Sequence, residues 1–241
     1  MHREYHKWWS PSLHRDMEMV IVGHSGARVL VFPTSKGKFY EWEDRGMFGP
    51  QGLQHHVDQG WLQFYCVDSV DSESWYNWSA HPGHRGWRQT EYMNYVKDEV
   101  LPLSLSKNHN PFLVTAGASF GAYHAACFAL RFPELTGRMI AMSGMFDIKS
   151  FTGGYSDDNV YFNNPLDFMQ HEADDARLAH LRNMDIIIAT GRGDRLHGES
   201  ERLSRVLWGK GIGNALRLWE GWSHDWPYWQ RMMQAYVGGH D

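Results

Sequence analysis

Residues 112–130 read Phe112-Leu113-Val114-Thr115-Ala116-Gly117-Ala118-Ser119-Phe120-Gly121-Ala122-Tyr123-His124-Ala125-Ala126-Cys127-Phe128-Ala129-Leu130. A short apolar run, Phe112 to Ala116, has the length and composition of a buried strand, and the alanine-rich run after Phe120 has those of a helix. Between them lies a pentad of the form G-x-S-x-G, Gly117-Ala118-Ser119-Phe120-Gly121. Strand, glycine-bounded turn and helix in this order form a nucleophile elbow, which lifts one serine to the top of a sheet. Small residues are needed because the turn strains the serine backbone and brings neighbouring main chain close. The helix after the turn points its positive end at Ser119 and favours negative charge there.

Outward from this elbow, strand-like and helical runs alternate. Strands are expected at Glu4 to Trp9, Met17 to Val22, Arg28 to Phe32, Trp61 to Val67, Pro111 to Ala116, Arg138 to Met142, Met184 to Thr190 and Ala215 to Leu218. Helices are expected at Trp87 to Leu101, Phe120 to Phe132, Asp174 to Arg182, Glu199 to Trp208 and Trp226 to Val237. This alternation predicts an α/β fold: a mostly parallel central sheet with antiparallel N-terminal strands and helices on both faces. In such a sheet the site lies at the carboxyl ends of the strands. Gly23-His24-Ser25-Gly26-Ala27 lacks the second glycine of an elbow and reads as a turn between two early strands. With no repeat or linker, residues 1–241 read as a single domain. The segment from Phe146 to Gln170, rich in Gly, Asp and Asn, reads as a lid or pocket-wall excursion.

A serine hydroxyl needs a base, and on an elbow of this kind the chain order is serine, acid, histidine. His224, in Gly221-Trp222-Ser223-His224-Asp225-Trp226, comes after the final strand and is the expected base. Asp194, in Thr190-Gly191-Arg192-Gly193-Asp194, comes after a late apolar strand and is the expected acid, with Asp147 as the substitute. The remaining polar neighbours have plainer readings: His124 as a packing residue of the elbow helix, His197 as part of the acid's loop, Asp225 as a helix cap. An oxyanion would be held by two backbone N–H groups. Phe120 supplies one, and the loop Pro33-Thr34-Ser35-Lys36-Gly37 supplies the other, through Ser35 or else Lys36.

Composition narrows the class. The chain has 241 residues, of which 42% are apolar and 15% aromatic, enough for a full core. Its net charge of -5 is spread along the chain and gives no electrostatic basis for binding nucleic acid. No apolar run nears the roughly 18 residues that span a bilayer, and the N-terminus carries no signal-peptide pattern. Two cysteines, Cys66 and Cys127, fit buried thiols, and the expected location is cytoplasmic. Asp157, Asp158, Asn159 and Asn163 lack the spacing of a calcium loop and read as turn formers. No metal and no cofactor is implied.

With these residues in place, the chain resembles the putative-esterase family of α/β-hydrolases, the group similar to esterase D, feruloyl esterases and mycolyltransferases. The carriers run over nearly the whole chain: Val29 to Pro33, Asp71-Ser72-Glu73-Ser74-Trp75-Tyr76, Gly117 to Ala122, Met142-Ser143-Gly144, Asn163-Asn164-Pro165, Gly191 to Asp194 and His224-Asp225-Trp226. The resemblance implies Ser119, Asp194 and His224 as a catalytic triad and sets Trp75 and Tyr76 near the site, as a substrate wall or else as core packing; Lys36 is the further substrate-binding candidate. One departure stands out: many relatives carry His-Gly where this chain has Pro33-Thr34. The activity implied is hydrolysis of a small carboxylic ester through an acyl-enzyme. An acyltransferase with the same triad and a binding protein with a silent elbow are the alternatives, and homo-oligomerisation is left open.

Overall fold

A computed structural model describes residues 1–239. The described residues form an eight-stranded sheet from β1 (Arg3–Ser10), β2 (Arg15–Val22), β3 (Ala27–Phe32), β4 (Leu62–Val67), β5 (Leu113–Ala118), β6 (Arg138–Met142), β7 (Asp185–Gly191) and β8 (Ala215–Trp219). Their order across the sheet is β1-β2-β4-β3-β5-β6-β7-β8. The pairings β1 with β2 and β2 with β4 are antiparallel, and every pairing from β4 through β8 is parallel. This is the mostly parallel sheet with antiparallel N-terminal strands that the alternation predicted, and it is the architecture that the resemblance to α/β-hydrolases implied.

Burial explains the order. Strand β5 is buried at all six positions, as a central parallel strand covered on both faces must be, whereas β1 alternates exposed and half-buried residues as an edge strand does. One apolar layer joins Leu30, Phe32 and Tyr65 to Tyr92, Tyr123 and Phe128 of the helices Pro82–Tyr95 and Phe120–Arg131. On the opposite face Val29, Val31, Ala116 and Ile140 pack against Trp229 and Met232 of helix Trp226–Tyr236. The C-terminal half of the sheet adds a third cluster, in which Ile186 and Ile188 meet Leu203 and Leu207 of helix His197–Gly209.

Strand positions agree with expectation to within about two residues, and helix starts agree less well. The helix expected from Trp87 begins at Pro82, with His81 capping the N–H of Gly83, and Gly83 and Gly86 dilute the helical pattern there. It continues through a widened turn, Val96–Val100, into helix Leu101–Lys107. Pro102 has no N–H to give to the preceding turn, so a wider turn directly before it relieves the mismatch. Ser25 sits in the turn between β2 and β3 and donates to Gly60 O, as a turn residue rather than a nucleophile. Segment 146–170 contains the helices Lys149–Thr152 and Asp158–Phe162 and enters Pro165–His171. Asp157 caps the second of these by accepting from Val160 N–H at 2.8 Å, and no cluster of three or more His, Cys, Asp or Glu able to hold a metal ion occurs among the described residues. Cys66 and Cys127 are free and buried.

Candidate active site

Strand β5 ends at Ala118 and helix Phe120–Arg131 begins two residues later, so Ser119 is the hinge between them. Its backbone takes φ 55° and ψ -121°, and Ser119 N–H donates to Met142 O of the neighbouring strand at 2.8 Å. A positive φ costs a non-glycine residue on the order of 1–3 kcal/mol and persists only where surrounding contacts enforce it. Two glycines permit the turn. A Cβ on Gly117 would lie 2.1 Å from Gly121 O, and one on Gly121 would lie 2.4 Å from Phe32 O, so the elbow packs main chain on main chain against the end of β3.

Ser119 Oγ lies 3.2 Å from His224 Nε2, and His224 Nδ1 lies 2.8 Å from Asp194 Oδ2. A carboxylate only accepts, so Nδ1 carries the proton and Nε2 is left as the acceptor for the serine hydroxyl. The Asp194 side chain is fully buried, and its other oxygen accepts from Leu196 N–H at 2.9 Å. Burial pushes the Asp194 carboxyl up, but the bonds from His224 and Leu196 outweigh it and hold the carboxyl below the ordinary range. The loops that carry the two side chains are joined main chain to main chain: Arg192 N–H donates to Trp219 O at 2.8 Å and Gly193 N–H to Gly221 O at 2.7 Å. Asp147 lies elsewhere, accepting from Lys149 N–H and Asn164 Nδ2 and facing Arg202, while Asp225 caps the last helix through Trp226 N–H.

Loop 33–37 abuts the elbow. Thr34 N–H donates to Glu41 Oε2, Lys36 N–H to Asp71 Oδ2 and Gly37 N–H to Thr34 O. Among the described residues Ser35 N–H alone in this run of three polar residues, Thr34 to Lys36, has no acceptor, and Lys36, the other expected donor, has its N–H taken. Phe120 N–H, at the first helical position, lacks an intrahelical acceptor by geometry. Tyr76 spans the loop and the elbow: its hydroxyl is 2.9 Å from Ser35 Oγ, its ring meets Phe120 at 5.2 Å, and Lys36 Nζ sits 5.0 Å above it. Trp75 takes one of its two expected places. It is fully buried and its indole N–H donates to Tyr123, which is the core-packing alternative. Phe151, from segment 146–170, lies 5.1 Å from Tyr76 and 5.6 Å from Phe120, with Trp78 stacked on it at 5.3 Å.

Three supports are not apparent from the sequence. Ser143, at φ 52°, accepts from Trp229 Nε1 and donates to Ser223 O beneath the histidine loop. Glu41 anchors Thr34 through both its N–H and its hydroxyl. His124, expected only to pack, bonds Asp71 at 2.8 Å. Asp71 opens the stretch Asp71 to Tyr76, but nothing in its local pattern marks it off from a turn aspartate.

No curated protein matches the sequence. Solved structures do resemble the fold. A ferulic acid esterase superposes with a TM-score of 0.76 at 17% identity, covering 96% of this chain and 95% of its own. An S-formylglutathione hydrolase from Agrobacterium tumefaciens gives 0.75 at 15% identity, covering 98% and 93%. Fluorophosphonate-binding serine hydrolase F of Staphylococcus aureus gives 0.70 at 14%, covering 97% and 95%. The family model described as "Putative esterase" matches residues 63–239, from strand β4 through the last helix, and the chain therefore belongs to that esterase family.

Proposed function

We propose that the chain hydrolyses a small carboxylic ester through an acyl-enzyme on Ser119, with His224 as general base and then general acid and Asp194 as its orienting partner. The observation that carries this reading is the pair of contacts made by one imidazole, 3.2 Å to Ser119 Oγ and 2.8 Å to Asp194 Oδ2. His224 takes the hydroxyl proton as Oγ adds to the ester carbonyl, and the negative charge develops on the carbonyl oxygen between the N–H groups of Phe120 and Ser35. The imidazolium then protonates the departing alcohol. Water, deprotonated by the same imidazole, attacks the acyl group and frees Ser119.

Asp194 works electrostatically in this scheme: a depressed carboxyl stays ionised and stabilises the imidazolium without taking its proton. Tyr76, Phe151 and Trp78 form the wall that meets the acyl or alcohol group, and segment 146–170 supplies part of it. The names of the structural relatives, a ferulic acid esterase and an S-formylglutathione hydrolase, support ester or thioester substrates of small acids.

Turnover of p-nitrophenyl esters graded from acetyl to octanoyl, beside Ser119→Ala, tests the reading. Wild-type turnover with loss on the order of 10⁴-fold or more in the variant is expected for removal of the nucleophile. Equal rates in both proteins would defeat it. A competing alcohol in the same assay separates hydrolysis from acyl transfer by the ratio of acid to new ester.

A further inference from the structure

Beneath the elbow lies a second carboxylate–imidazole couple that the proposed chemistry does not use. Asp71 Oδ1 is 2.8 Å from His124 Nε2, and His124 Nδ1 is 3.1 Å from Gln89 Nε2. All three residues have 0% exposure. The other carboxylate oxygen, Asp71 Oδ2, accepts from Lys36 N–H at 2.7 Å. His124 sits on the elbow helix, four residues after Phe120, while Lys36 is the next residue after Ser35.

The hydrogen bonds define the protonation pattern. Gln89 donates its amide to Nδ1, so the imidazole is neutral and gives its one proton, on Nε2, to Asp71. Asp71 is then a buried anion with one N–H on each oxygen, each bond of the charge-assisted kind. One donor belongs to the helix that carries Phe120, and the other to the loop that carries Ser35. Lys36 itself holds φ 56°, a strained value for a lysine, which the bond to Asp71 helps to enforce.

On the reading of Ser119 as an acyl-enzyme nucleophile, we propose that Asp71, through His124 and Lys36 N–H, is a positioning residue that sets the separation of the Phe120 and Ser35 N–H donors. The carboxylate clamps two otherwise independent elements, the elbow helix and loop 33–37, and so fixes the two halves of the oxyanion site relative to one another. It touches no substrate. Its effect is felt where charge develops on the carbonyl oxygen, which is the transition state and not the bound ester.

Asp71→Ala removes the clamp, and Asp71→Asn keeps it. An asparagine offers Oδ1 to Lys36 N–H and Nδ2–H to His124 Nε2, provided the imidazole proton moves to Nδ1 and the Gln89 carboxamide turns its oxygen to meet it. His124→Phe is the second disruptive variant, since it removes the helix-side donor but keeps a ring of similar size. Rates are counted per serine titrated with a fluorophosphonate, so molecules that fail to fold drop out of the comparison.

Both disruptive variants are expected to lose about 10- to 100-fold in kcat, less than the full removal of an oxyanion donor, with KM changed by less than about threefold. Affinity for a boronic acid that mimics the tetrahedral intermediate should fall by the same factor as kcat, and Asp71→Asn should recover most of both. Per-site kcat equal to wild type in Asp71→Ala and His124→Phe, or boronate affinity unmoved while kcat falls, overturns the proposal; so does an Asp71→Asn variant as impaired as Asp71→Ala. A wild-type protein that takes up no fluorophosphonate at Ser119 overturns the hydrolase reading as well, whereas a labelled wild type with an indifferent Asp71→Ala overturns this inference alone.

Discussion

Replacing Asp194 by asparagine removes one charge and almost no volume, and its consequence is set by the bonds of this carboxylate to Leu196 and His224. One oxygen accepts from Leu196 N–H at 2.9 Å and the other faces His224 Nδ1 at 2.8 Å. Asparagine has a single acceptor oxygen. If that oxygen stays with the fixed backbone N–H of Leu196, the amide NH₂ faces Nδ1 and forces the imidazole proton onto Nε2. A protonated Nε2 cannot accept from Ser119 Oγ, so the base is lost although the geometry is kept. The wrong tautomer costs on the order of 10³–10⁴ in kcat, about 4–5 kcal/mol in the barrier. Steady-state hydrolysis of p-nitrophenyl acetate between pH 6 and 9 measures this, with Asp147→Asn alongside. Asp147 bonds Lys149 N–H, Asn164 and Arg202, so its variant should stay within about threefold of wild type. Retention of more than a tenth of kcat in Asp194→Asn, or a greater loss at Asp147, would remove Asp194 from the role of the acid.

The same contacts lead to further outcomes. A Cβ at Gly191 would lie 2.3 Å from Trp222 O, so Gly191→Ala should displace the loop bearing His224 and lower kcat by about 10- to 100-fold while β7 survives, read by kinetics beside circular dichroism. Phe151→Ala empties the contact between Tyr76, Phe120 and Trp78, and should cost about 3 kcal/mol in a urea titration and shift the preferred acyl length. Glu4 has its carboxyl lowered from 4.5 to about 2, first by Lys107 and then by His2. Its contribution to stability is therefore complete above pH 4.5 and fades as pH falls toward 2. Glu4→Gln should flatten the stability profile through that window, measured by urea titrations at graded pH; a profile as steep as wild type between pH 4.5 and 2 would refute this.

The fold was legible because burial in a doubly covered sheet leaves continuous apolar strands. Leu113 to Ala116 and Ile186 to Ala189 need no partner context to be recognised, and both proved to be central strands. The short helices at Glu41–Asp44 and Gln54–Asp58 were not legible, because four or five residues carry less than two turns of periodicity and are stabilised by tertiary contacts of Trp42 and Val57. Ser119, Asp194 and His224 could be nominated because each lies just past a strand end at a glycine-bearing turn. The proposed oxyanion loop was harder. Ser35 and Lys36 are equivalent in sequence, and what separates them is Asp71, 35 residues beyond Lys36, which takes the lysine N–H and leaves the serine N–H open. Trp75 and Tyr76 were indistinguishable for a related reason: which of two adjacent aromatics enters the core and which meets the elbow depends on Tyr123, a partner 48 residues distant from Trp75.

Whether Ser119 is a nucleophile is decided by capturing it covalently. Wild-type protein is treated with a fluorophosphonate, weighed intact by mass spectrometry, and digested to locate the adduct. The expected result is one adduct per chain, on the peptide containing Ser119, absent from Ser119→Ala and slowed by orders of magnitude in His224→Ala. An unmodified wild-type chain, or an adduct that persists in Ser119→Ala, would contradict the assignment.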